Sequence, residues 1–490
     1  MTKDQILEDL RSMLRDDQIN TDHDALYDAS ADRYKKYAKA KKVLDTPLPT
    51  AIVFPADTSE VQKILVYCNE NRINVIPRSG KTATEGGLEN WKELAVVIDG
   101  ALLDRIIKID TYNMQATVQS GVQLQRLEDK LRELGFTTGH SPQSKPVAQF
   151  GGLVATRSIG QFSTLYGGIE DMVVGLECVF PDGHISKIKN VPRRAAGPDI
   201  RHIVIGNEGA LCYITEVTVK IFRYYPDNNR FYGYLTKDID TGIKVLREVV
   251  VNGFRPSVAR AYSEDDAMQH FYHFHKGKCV LLFMAEGPYG IVDATCKGIE
   301  EAVERFRSGI IEQVDGALIE DWFNHLNWSQ QDIDDEVEGM VENDCHAGFT
   351  TEVSADWETI TPLYYSVIER IKREFPKAGD LTLLGGHSSH SYLNGTNMYF
   401  VYNYDINCAP EDEMRVYHHP IQRIIVEETL KAGGSICHHH GIGKFRSEWA
   451  ADEHGSAYYM LDKLKSAFDP NGIMNFGTIF YRDEGARFLM

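Results

Sequence analysis

Three adjacent histidines, His438, His439 and His440, form the cluster of this sequence best suited to proton transfer. They lie in the run from Ser435 to Lys444, directly after a predicted helix that ends at Gly433 and Gly434. Imidazole titrates near neutrality, so it can take a proton from a hydroxyl group. We expect one of the three to be a general base. Another must be structural, because adjacent side chains on a strand cannot all face one ligand.

A tyrosine upstream is the second candidate for proton transfer. The alternating stretch from Gly385 to Tyr404 predicts a strand with Asn397, Tyr399 and Val401 on one face. A phenol passes a proton readily when a neighbouring histidine lowers its pKa. Tyr399 together with the histidine run is therefore a chemically coherent pair.

Three glycine-rich stretches provide a different kind of site. They span Pro77–Gly87, Gly139–Gly160 and Ile205–Val217. Glycines allow close backbone approach and positive φ, and successive N–H groups form a nest for anions. Hydroxyl donors are interspersed among them. Three such loops in order predict a site for the pyrophosphate of a dinucleotide.

In order and spacing, these loops resemble the FAD-binding domain of the vanillyl-alcohol-oxidase (PCMH-type) superfamily. Within this superfamily, the chain more closely resembles the alkylglycerone-phosphate-synthase branch. It also resembles the predicted FAD-linked oxidoreductases of bacteria. It implies FAD contacts by Pro77, Arg78, Ser79, Gly80, Lys81, Thr82, Ala83, Ser141, Pro142, Ser144, Gly151, Gly152, Ala155, Thr156, Arg157, Ser158, Gly160, Glu208, Gly209 and Ile214.

The same branch has a histidine run of the form S-x-x-H-H-H-G-x-G-K-x-R, which this chain reproduces from Ser435 to Arg446. The resemblance also places the family's catalytic tyrosine at Tyr399, and it implies catalytic roles for Tyr399, His438, His439 and His440. Oxidation of an alcohol by such a flavoenzyme transfers a hydride to flavin N5 while a base accepts the hydroxyl proton.

The resemblance leaves three functions open. The first is an FAD-dependent dehydrogenase that oxidises a small polar alcohol, such as a hydroxy acid or a sugar-derived compound. The second is a synthase-like transferase that works through a flavin adduct, and the third is a flavin-binding protein without catalysis. The synthases carry a phosphate-binding arginine before F-x-T-E-x-S, here Phe349–Ser354, whereas residues 328–348 contain none. We therefore expect a CH–OH dehydrogenase.

A divalent metal is a rival use of the histidines. Some 2-hydroxy-acid dehydrogenases of this superfamily hold an ion with histidines from two segments. By that resemblance, His387, His390 and His439 or His440 are candidate nitrogen ligands. Tyr399 stands where a further ligand histidine would be expected, and we predict no metal.

Composition limits the partners and the location. Acidic residues outnumber basic ones 71 to 52, giving a net charge of −19, which disfavours nucleic acid. The charged N-terminus and the absence of an 18-residue apolar run predict no membrane span, and the scattered cysteines indicate a reducing, cytoplasmic location. We expect a small-molecule substrate, a separate electron acceptor such as an electron-transfer flavoprotein, and a homodimer as one form of assembly.

Hydrophobic periodicity predicts an α+β fold in several parts. We expect a helical N-terminal extension (1–45), and the resemblance implies that residues 46–226 form a two-subdomain PCMH-type FAD-binding domain. An α+β cap domain (227–445) and a C-terminal segment that returns to complete the FAD domain (446–490) follow.

One prediction concerns the cofactor linkage. Some relatives attach FAD through a histidine of the first loop, and none lies between Pro77 and Gly87. Acid or heat should therefore release all of the flavin from the purified protein, as measured by absorbance of the supernatant after the chain is precipitated. Flavin that stays on the washed, denatured chain would contradict a non-covalent link.

Overall fold

The computed structural model describes residues 1–343 and 346–483, and the side chains of 341–343 are left aside. Within these residues, helices and strands alternate irregularly, and the strands form four sheets. In the described residues no helix is both long and apolar enough to span a membrane.

The first sheet contains four strands in the order β1-β2-β4-β3. Its strands are β1 (Ile19–Asn20), β2 (Ala51–Val53), β3 (Asn74–Arg78) and β4 (Ala95–Asp99), with α1 (Lys3–Met13), α2 (His23–Asp28) and α4 (Thr58–Asn71) around it. Helix α3 (Lys36–Ala40) instead packs into the core that contains Phe349 and Tyr404. Strands β2, β4 and β3 are parallel and almost entirely buried, which explains their continuous apolar runs. The predicted helical N-terminal segment thus also contributes a short strand, β1, which pairs with β2.

A five-stranded antiparallel sheet follows in the order β5-β6-β10-β8-β9. Its strands are β5 (Ile106–Asp110), β6 (Gln115–Gln119), β8 (Val173–Val179), β9 (Ile185–Ile188) and β10 (Tyr213–Lys220); β7 (Phe136–Thr137) and β11 (Phe222–Arg223) pair separately. Its helices are α5 (Leu124–Glu133), α6 (Phe150–Ala155), α7 (Ser163–Tyr166), α8 (Ile169–Met172) and α9 (Arg201–Val204). The leucines of α5 at helical spacing, Leu124, Leu127 and Leu131, are fully buried against this sheet.

The largest sheet has the order β15-β12-β14-β13-β17-β19-β16, and β18 pairs with β19. Its strands are β12 (Arg230–Thr236), β13 (Val258–Tyr262), β14 (Cys279–Ala285), β15 (Ile310–Val314), β16 (His346–Asp356), β17 (Leu381–Ser388), β18 (Ser391–Tyr392) and β19 (Gly395–Asp405). Its helices are α10 (Ile239–Val251), α11 (Glu264–His270), α12 (Tyr289–Arg305), α13 (Gly316–Asn324), α14 (Gln330–Asn343), α15 (Ile360–Glu374) and α16 (His419–Lys431).

Strand alternation gives this sheet two chemically different faces. One face belongs to an apolar core with α10, α12, α15 and α16, to which Ala259, Ala261, Phe400 and Tyr402 contribute. The intervening residues on the other face, such as Arg260 and Tyr399, line a cavity. The polar groups of the site therefore project from one face of the sheet, while the other face is packed into the apolar core.

The C-terminal part contains α17 (Ala450–His454) and α18 (Tyr458–Phe468) and then returns to the first sheet. The N–H of Val75 donates to the carbonyl of Ile473 at 2.8 Å, and the N–H of Asn475 donates to the carbonyl of Val75 at 2.8 Å. The α+β fold with a returning C-terminal segment is as predicted, whereas the predicted domain limits at 45, 226 and 445 stay predictions.

Candidate functional site

A cavity of about 450 Å³ lies where the glycine-rich loops meet the polar face of the large sheet. Most of the predicted cofactor and catalytic residues line it. Those that do are Pro77, Arg78, Ser79, Gly80, Lys81, Thr82, Ala83, Pro142, Ser144, Gly151, Gly152, Ala155, Thr156, Ser158, Glu208, Gly209, Ile214, Tyr399, His439 and His440. Ser141, Arg157, Gly160 and His438 are not among the lining residues, so the structure brings together most of the predicted site but not all of it.

The first glycine-rich loop offers an anion nest. In the described chain, the backbone N–H groups from Ser79 to Ala83 donate to no protein acceptor. Lys81 adopts a left-handed conformation (φ 57°), and a Cβ on Gly80 would lie 2.7 Å from the carbonyl oxygen of Val147. A run of unpaired N–H groups beside a cavity suits the pyrophosphate of FAD, so the residues present fit this cofactor.

The second loop packs closely against the first because both loops carry small residues, Gly152 and Ser79, where they meet. A Cβ on Gly152 would lie 2.5 Å from Ser79 Oγ, so a larger residue would push the loops apart. Thr156 Oγ1 donates to the carbonyl of Gly152 at 2.9 Å and closes the short helix α6. Arg157, with φ 52°, instead directs its side chain to Glu170 at 3.2 Å, away from the cavity.

The carboxylate of Glu208 is engaged with the C-terminal loop. Its two oxygens accept from the N–H groups of Ile442 and Gly443, both at 2.8 Å. Burial raises the pKa of Glu208 to about 7, although these two donors act against the rise. Glu208 therefore fastens the segment that follows the histidines, besides lining the cavity.

The histidine run is held by a single carboxylate, that of Glu352. Its Oε1 accepts from the backbone N–H groups of His438, His439 and His440 at 3.1, 2.9 and 2.9 Å. Burial acts to raise the pKa of Glu352, but Arg446 and His440 outweigh it and hold the pKa well below its usual range. The run is thus a turn wrapped around an ionised oxygen, and its three side chains diverge.

Arg446 connects this carboxylate to the first loop. Its guanidinium lies 2.7 Å from Glu352 and 2.6 Å from Glu85, and it also donates to the carbonyl of Ile436 at 2.6 Å. All three charged side chains are buried. Sequence reasoning missed Glu85 and Glu352 because an isolated carboxylate has no spacing signal.

His440 and Tyr399 are brought together, as the sequence predicted. His440 Nδ1 lies 3.0 Å from Glu352 Oε2, and His440 Nε2 lies 3.2 Å from the Tyr399 hydroxyl. The contact at Nδ1 is too poorly aligned for a hydrogen bond, but the negative charge of Glu352 favours a proton on Nδ1 and leaves Nε2 free. The order of the groups is that of a hydroxyl–imidazole–carboxylate triad. Burial raises the pKa of Tyr399 to about 12. This is opposite to the lowering that the sequence-based hypothesis invoked, so Tyr399 stays a phenol.

The other two histidines have different surroundings. His438 Nε2 lies 2.7 Å from the Tyr392 hydroxyl, and its Nδ1 lies 2.8 Å from Nδ1 of His439. Burial lowers the pKa of His438 to about 4 and that of His439 well below its usual value. Both are therefore neutral at pH 7, and of the two only His439 lines the cavity.

The stretch from Gly385 to Tyr404, interpreted as one strand, is a hairpin formed by β17 and β19. Its register pairs His387 with Tyr399, and their rings stack at 4.9 Å. Asn397 Oδ1 accepts from the N–H groups of Ser389 and His390, which closes the turn. The hairpin places a second histidine beside Tyr399.

His387 in turn orients a buried arginine. Its Nδ1 lies 2.5 Å from Asp266 Oδ2, and its Nε2 accepts from the guanidinium of Arg260 at 3.0 Å. Arg260 also donates to Gln161 Oε1 at 2.6 Å, but in the described part of the chain it pairs with no carboxylate, and its Nε has no partner. Burial lowers the pKa of His387 to about 4, so this buried cation faces the cavity beside a neutral imidazole.

These contacts do not favour the metal alternative. Both ring nitrogens of His387 are engaged, and His390 Nδ1 lies 2.7 Å from Ser163 Oγ. Over residues 1–343 and 346–483, the one group with suitable ligand spacing is Glu85, Glu352 and His440. The guanidinium of Arg446 already bridges its two carboxylates.

Two family models match this chain. The model for an FAD binding domain matches residues 49–189, and the model for the C-terminal domain of FAD linked oxidases matches residues 225–479. The chain belongs to the FAD-linked oxidases. FAD is accordingly the cofactor, and nothing in the comparisons indicates covalent attachment.

Relatives and a solved structure agree with this assignment. The FAD-linked oxidoreductase YgcU of Escherichia coli O157:H7 is 57% identical over 97% of this chain and 98% of its own length. The alkyldihydroxyacetonephosphate synthase of Caenorhabditis elegans is 32% identical over 87% and 75%. The mitochondrial D-lactate dehydrogenase [cytochrome] 1 of Saccharomyces cerevisiae is 26% identical over 98% and 80%. A solved alkyldihydroxyacetonephosphate synthase shares the fold, with a TM-score of 0.76, 21% identity and coverage of 97% and 85%.

Substitution of Thr156 tests the proposed phosphate nest of this FAD-linked oxidase. Thr156→Glu should strongly reduce the FAD content of the purified protein, because it places a carboxylate at the cavity wall near the cofactor phosphates. The measurement is the ratio of bound flavin to protein. Thr111→Glu, on an exposed turn, is the matched control. A native flavin ratio in Thr156→Glu would remove this loop from the FAD site.

Proposed function

We propose that this FAD-linked oxidase is a dehydrogenase that oxidises the CH–OH group of a small hydroxy acid or of a sugar-derived acid. The oxidoreductase class follows from the family, and the proposal adds the substrate class. One observation carries it: Arg260 is a buried cation at the cavity wall, and no carboxylate of residues 1–343 and 346–483 pairs with it. A buried charge needs a counter-charge, and an anionic substrate supplies one.

The position of Arg260 relates this charge to the chemistry. Arg260 donates to His387, and His387 stacks on Tyr399. A substrate with its acid group on Arg260 thus has its hydroxyl within the reach of the Tyr399 region. Among the relatives, the yeast protein is named as a dehydrogenase of a 2-hydroxy acid, D-lactate, which agrees with this substrate class.

The proton leaves the substrate through Tyr399 and His440. Because Tyr399 stays a phenol, its oxygen accepts the hydroxyl proton as its own proton passes to His440 Nε2. Glu352 stabilises the imidazolium from the Nδ1 side, as the carboxylate of a catalytic triad does. When bound, FAD would supply the acceptor for the hydride that leaves the substrate carbon, and a separate acceptor such as an electron-transfer flavoprotein would take the electrons.

The cofactor is proposed to lie along the three glycine-rich loops. The lining residues predicted from the sequence form its binding site, with the pyrophosphate on the N–H groups from Ser79 to Ala83. A second cavity of about 250 Å³ shares Arg78, Ser79, Lys81 and Gln149 with the first. The added space suits a ligand as long as a dinucleotide.

A synthase-like transferase without net redox change is the second candidate. The synthase of Caenorhabditis elegans is 32% identical to this chain, and the histidine run matches the pattern of that branch. The chain lacks an arginine in 328–348, where the synthases bind phosphate. Arg260 lines the cavity instead, whereas the cavity-lining Arg33 is paired with Glu336.

Anaerobic mixing with a panel of hydroxy acids, sugar acids and polyols distinguishes the candidates. The proposal expects the oxidised-flavin absorbance to bleach with an acid and not with the matching uncharged polyol. Bleaching by polyols alone would contradict the acid-binding role, and a spectral change without bleaching would favour the transferase.

Substitution of Arg260 tests the substrate anchor. Arg260→Met should raise KM for the acid substrate by about 10- to 100-fold, because it removes charge-assisted hydrogen bonds worth about 1.5–3 kcal/mol. Arg260→Lys should retain part of the affinity. Steady-state kinetics with an artificial acceptor provides the measurement, and FAD content serves as the control for folding. An unchanged KM in Arg260→Met would exclude this anchor.

Substitution of Tyr399 tests the proton path. Tyr399→Phe should keep FAD and fold but slow flavin reduction by ~10²–10⁴-fold, the usual contribution of a proton-transfer group. His440→Asn should slow it comparably, and the double variant should be little slower than the worse single variant, because the two act as one unit. His438→Asn, outside the cavity lining, should have the smaller effect. Near-native flavin reduction in Tyr399→Phe would make the tyrosine structural.

A further inference from the structure

A hydroxyl pair extends the proposed proton path beyond Tyr399. The Tyr34 hydroxyl lies 2.5 Å from Thr350 Oγ1, and Thr350 Oγ1 donates to the Tyr399 hydroxyl at 3.2 Å. The Tyr399 hydroxyl lies 3.2 Å from His440 Nε2. Three hydroxyl groups thus form an unbroken hydrogen-bonded chain that ends at the imidazole.

The chain has a single consistent direction. The negative charge of Glu352 beside His440 Nδ1 favours the tautomer with its proton on Nδ1, and in that tautomer His440 Nε2 accepts a hydrogen bond from the Tyr399 hydroxyl. A tyrosine oxygen that donates in one direction still accepts from another donor, and Thr350 fills that position. Thr350 has only one proton, so the pair with Tyr34 requires the Tyr34 phenol to donate to Thr350 Oγ1. Burial raises the pKa of Tyr34 well above its usual value, which keeps that proton in place.

We infer that Thr350 and Tyr34 are positioning residues that hold the Tyr399 hydroxyl with its proton directed at His440. The inference rests on the proposed function for its kinetic consequence. It also assigns a role to the N-terminal segment, because Tyr34 lies before both family-matched ranges, which begin at residues 49 and 225. Hydrogen bonds in such a chain polarise one another, so removal of the first donors weakens the last bond.

Tyr34 is well placed for this role. Its ring packs edge-on against Phe349 at 4.9 Å, and its backbone N–H donates to Asp32 at 3.0 Å. The neighbouring Arg33 and Lys36 both pair with Glu336 of α14, at 2.9 and 2.5 Å. The segment is therefore anchored to the wall of the cavity on both sides of Tyr34.

The same two strands supply a matched control. Thr351 and Tyr402 form a second hydroxyl pair at 3.0 Å between β16 and β19. Tyr402 continues to His418 Nδ1 at 2.8 Å, on the core side of the sheet. Thr351→Val removes the same chemical group from the same strand without touching the proposed proton path.

The test compares Thr350→Val, Thr350→Ser, Tyr34→Phe and Thr351→Val as FAD-loaded enzymes. With a substrate that bleaches the native flavin, Thr350→Val should slow flavin reduction about tenfold, as expected for the loss of one hydrogen bond, without a change in KM. Thr350→Ser and Thr351→Val should stay close to the native rate, and Tyr34→Phe should be slowed less than Thr350→Val. In a Tyr399→Phe background, Thr350→Val should have no further effect. Equal rates for Thr350→Val and Thr350→Ser would overturn the inference.

A second readout does not depend on any substrate. NMR of isotope-labelled histidine, with the His440 signal assigned by His440→Asn, reports which ring nitrogen carries the proton. Thr350→Val should shift the Nε2 signal of His440, and Thr350→Ser should not. Unchanged signals in Thr350→Val would refute the inference. Absence of bleaching by every acid, with the NMR shift present, would refute the proposed function alone.

Discussion

A buried arginine between two buried carboxylates is the interaction on which the site depends. Arg446 holds Glu85 of the first glycine-rich loop and Glu352 of the large sheet at 2.6 and 2.7 Å, and it binds the carbonyl of Ile436. Removing one partner of such a buried ion pair typically costs about 3–5 kcal/mol, because an uncompensated charge remains. One guanidinium thereby fixes the relative positions of the cofactor loop, the sheet and the histidine run.

The chemistry of His440 follows from this constraint. Glu352 stays ionised because Arg446 lies beside it, and an ionised Glu352 both collects the three N–H groups of the histidine run and faces His440 Nδ1. His440 Nε2 is then the acceptor for Tyr399. On the opposite side of Tyr399, Asp266 fixes His387, and His387 fixes Arg260. His440 and His387 each face a buried carboxylate, and both lie against Tyr399.

The sequence predicted the local elements well because their periodicity is strong. Leucines at helical spacing from Val122 to Leu134 indicate a helix, which is observed at Leu124–Glu133. The apolar run from Val173 to Phe180 indicates a strand, which is observed at Val173–Val179. The pairing of Tyr399 with the histidine run also followed from residue types and resemblance. The hairpin that stacks His387 on Tyr399 was missed, although Asn394-Gly395 is a recognised hairpin signal.

Long-range partnerships were beyond the reach of the sequence. Arg260, Asp266, Glu85 and Glu352 come from four separate elements or loops, so no spacing rule connects them with the histidines. The direction of the Tyr399 pKa shift was wrong for the same reason. It depends on burial, and burial is a property of the assembled sheet and loops.

The central claim is that Glu352, held by Arg446, makes His440 the base that serves Tyr399. The most direct test is anaerobic flavin reduction by a verified acid substrate in Glu352→Gln and Glu85→Gln. Both variants replace one carboxylate partner of the same guanidinium by a neutral amide, but Glu352 lies 3.0 Å from His440 Nδ1 and Glu85 lies 3.9 Å away. The account predicts that Glu352→Gln slows reduction at least ~10²-fold and that Glu85→Gln slows it much less. Equal slowing in the two variants, or a native rate in Glu352→Gln, would contradict it.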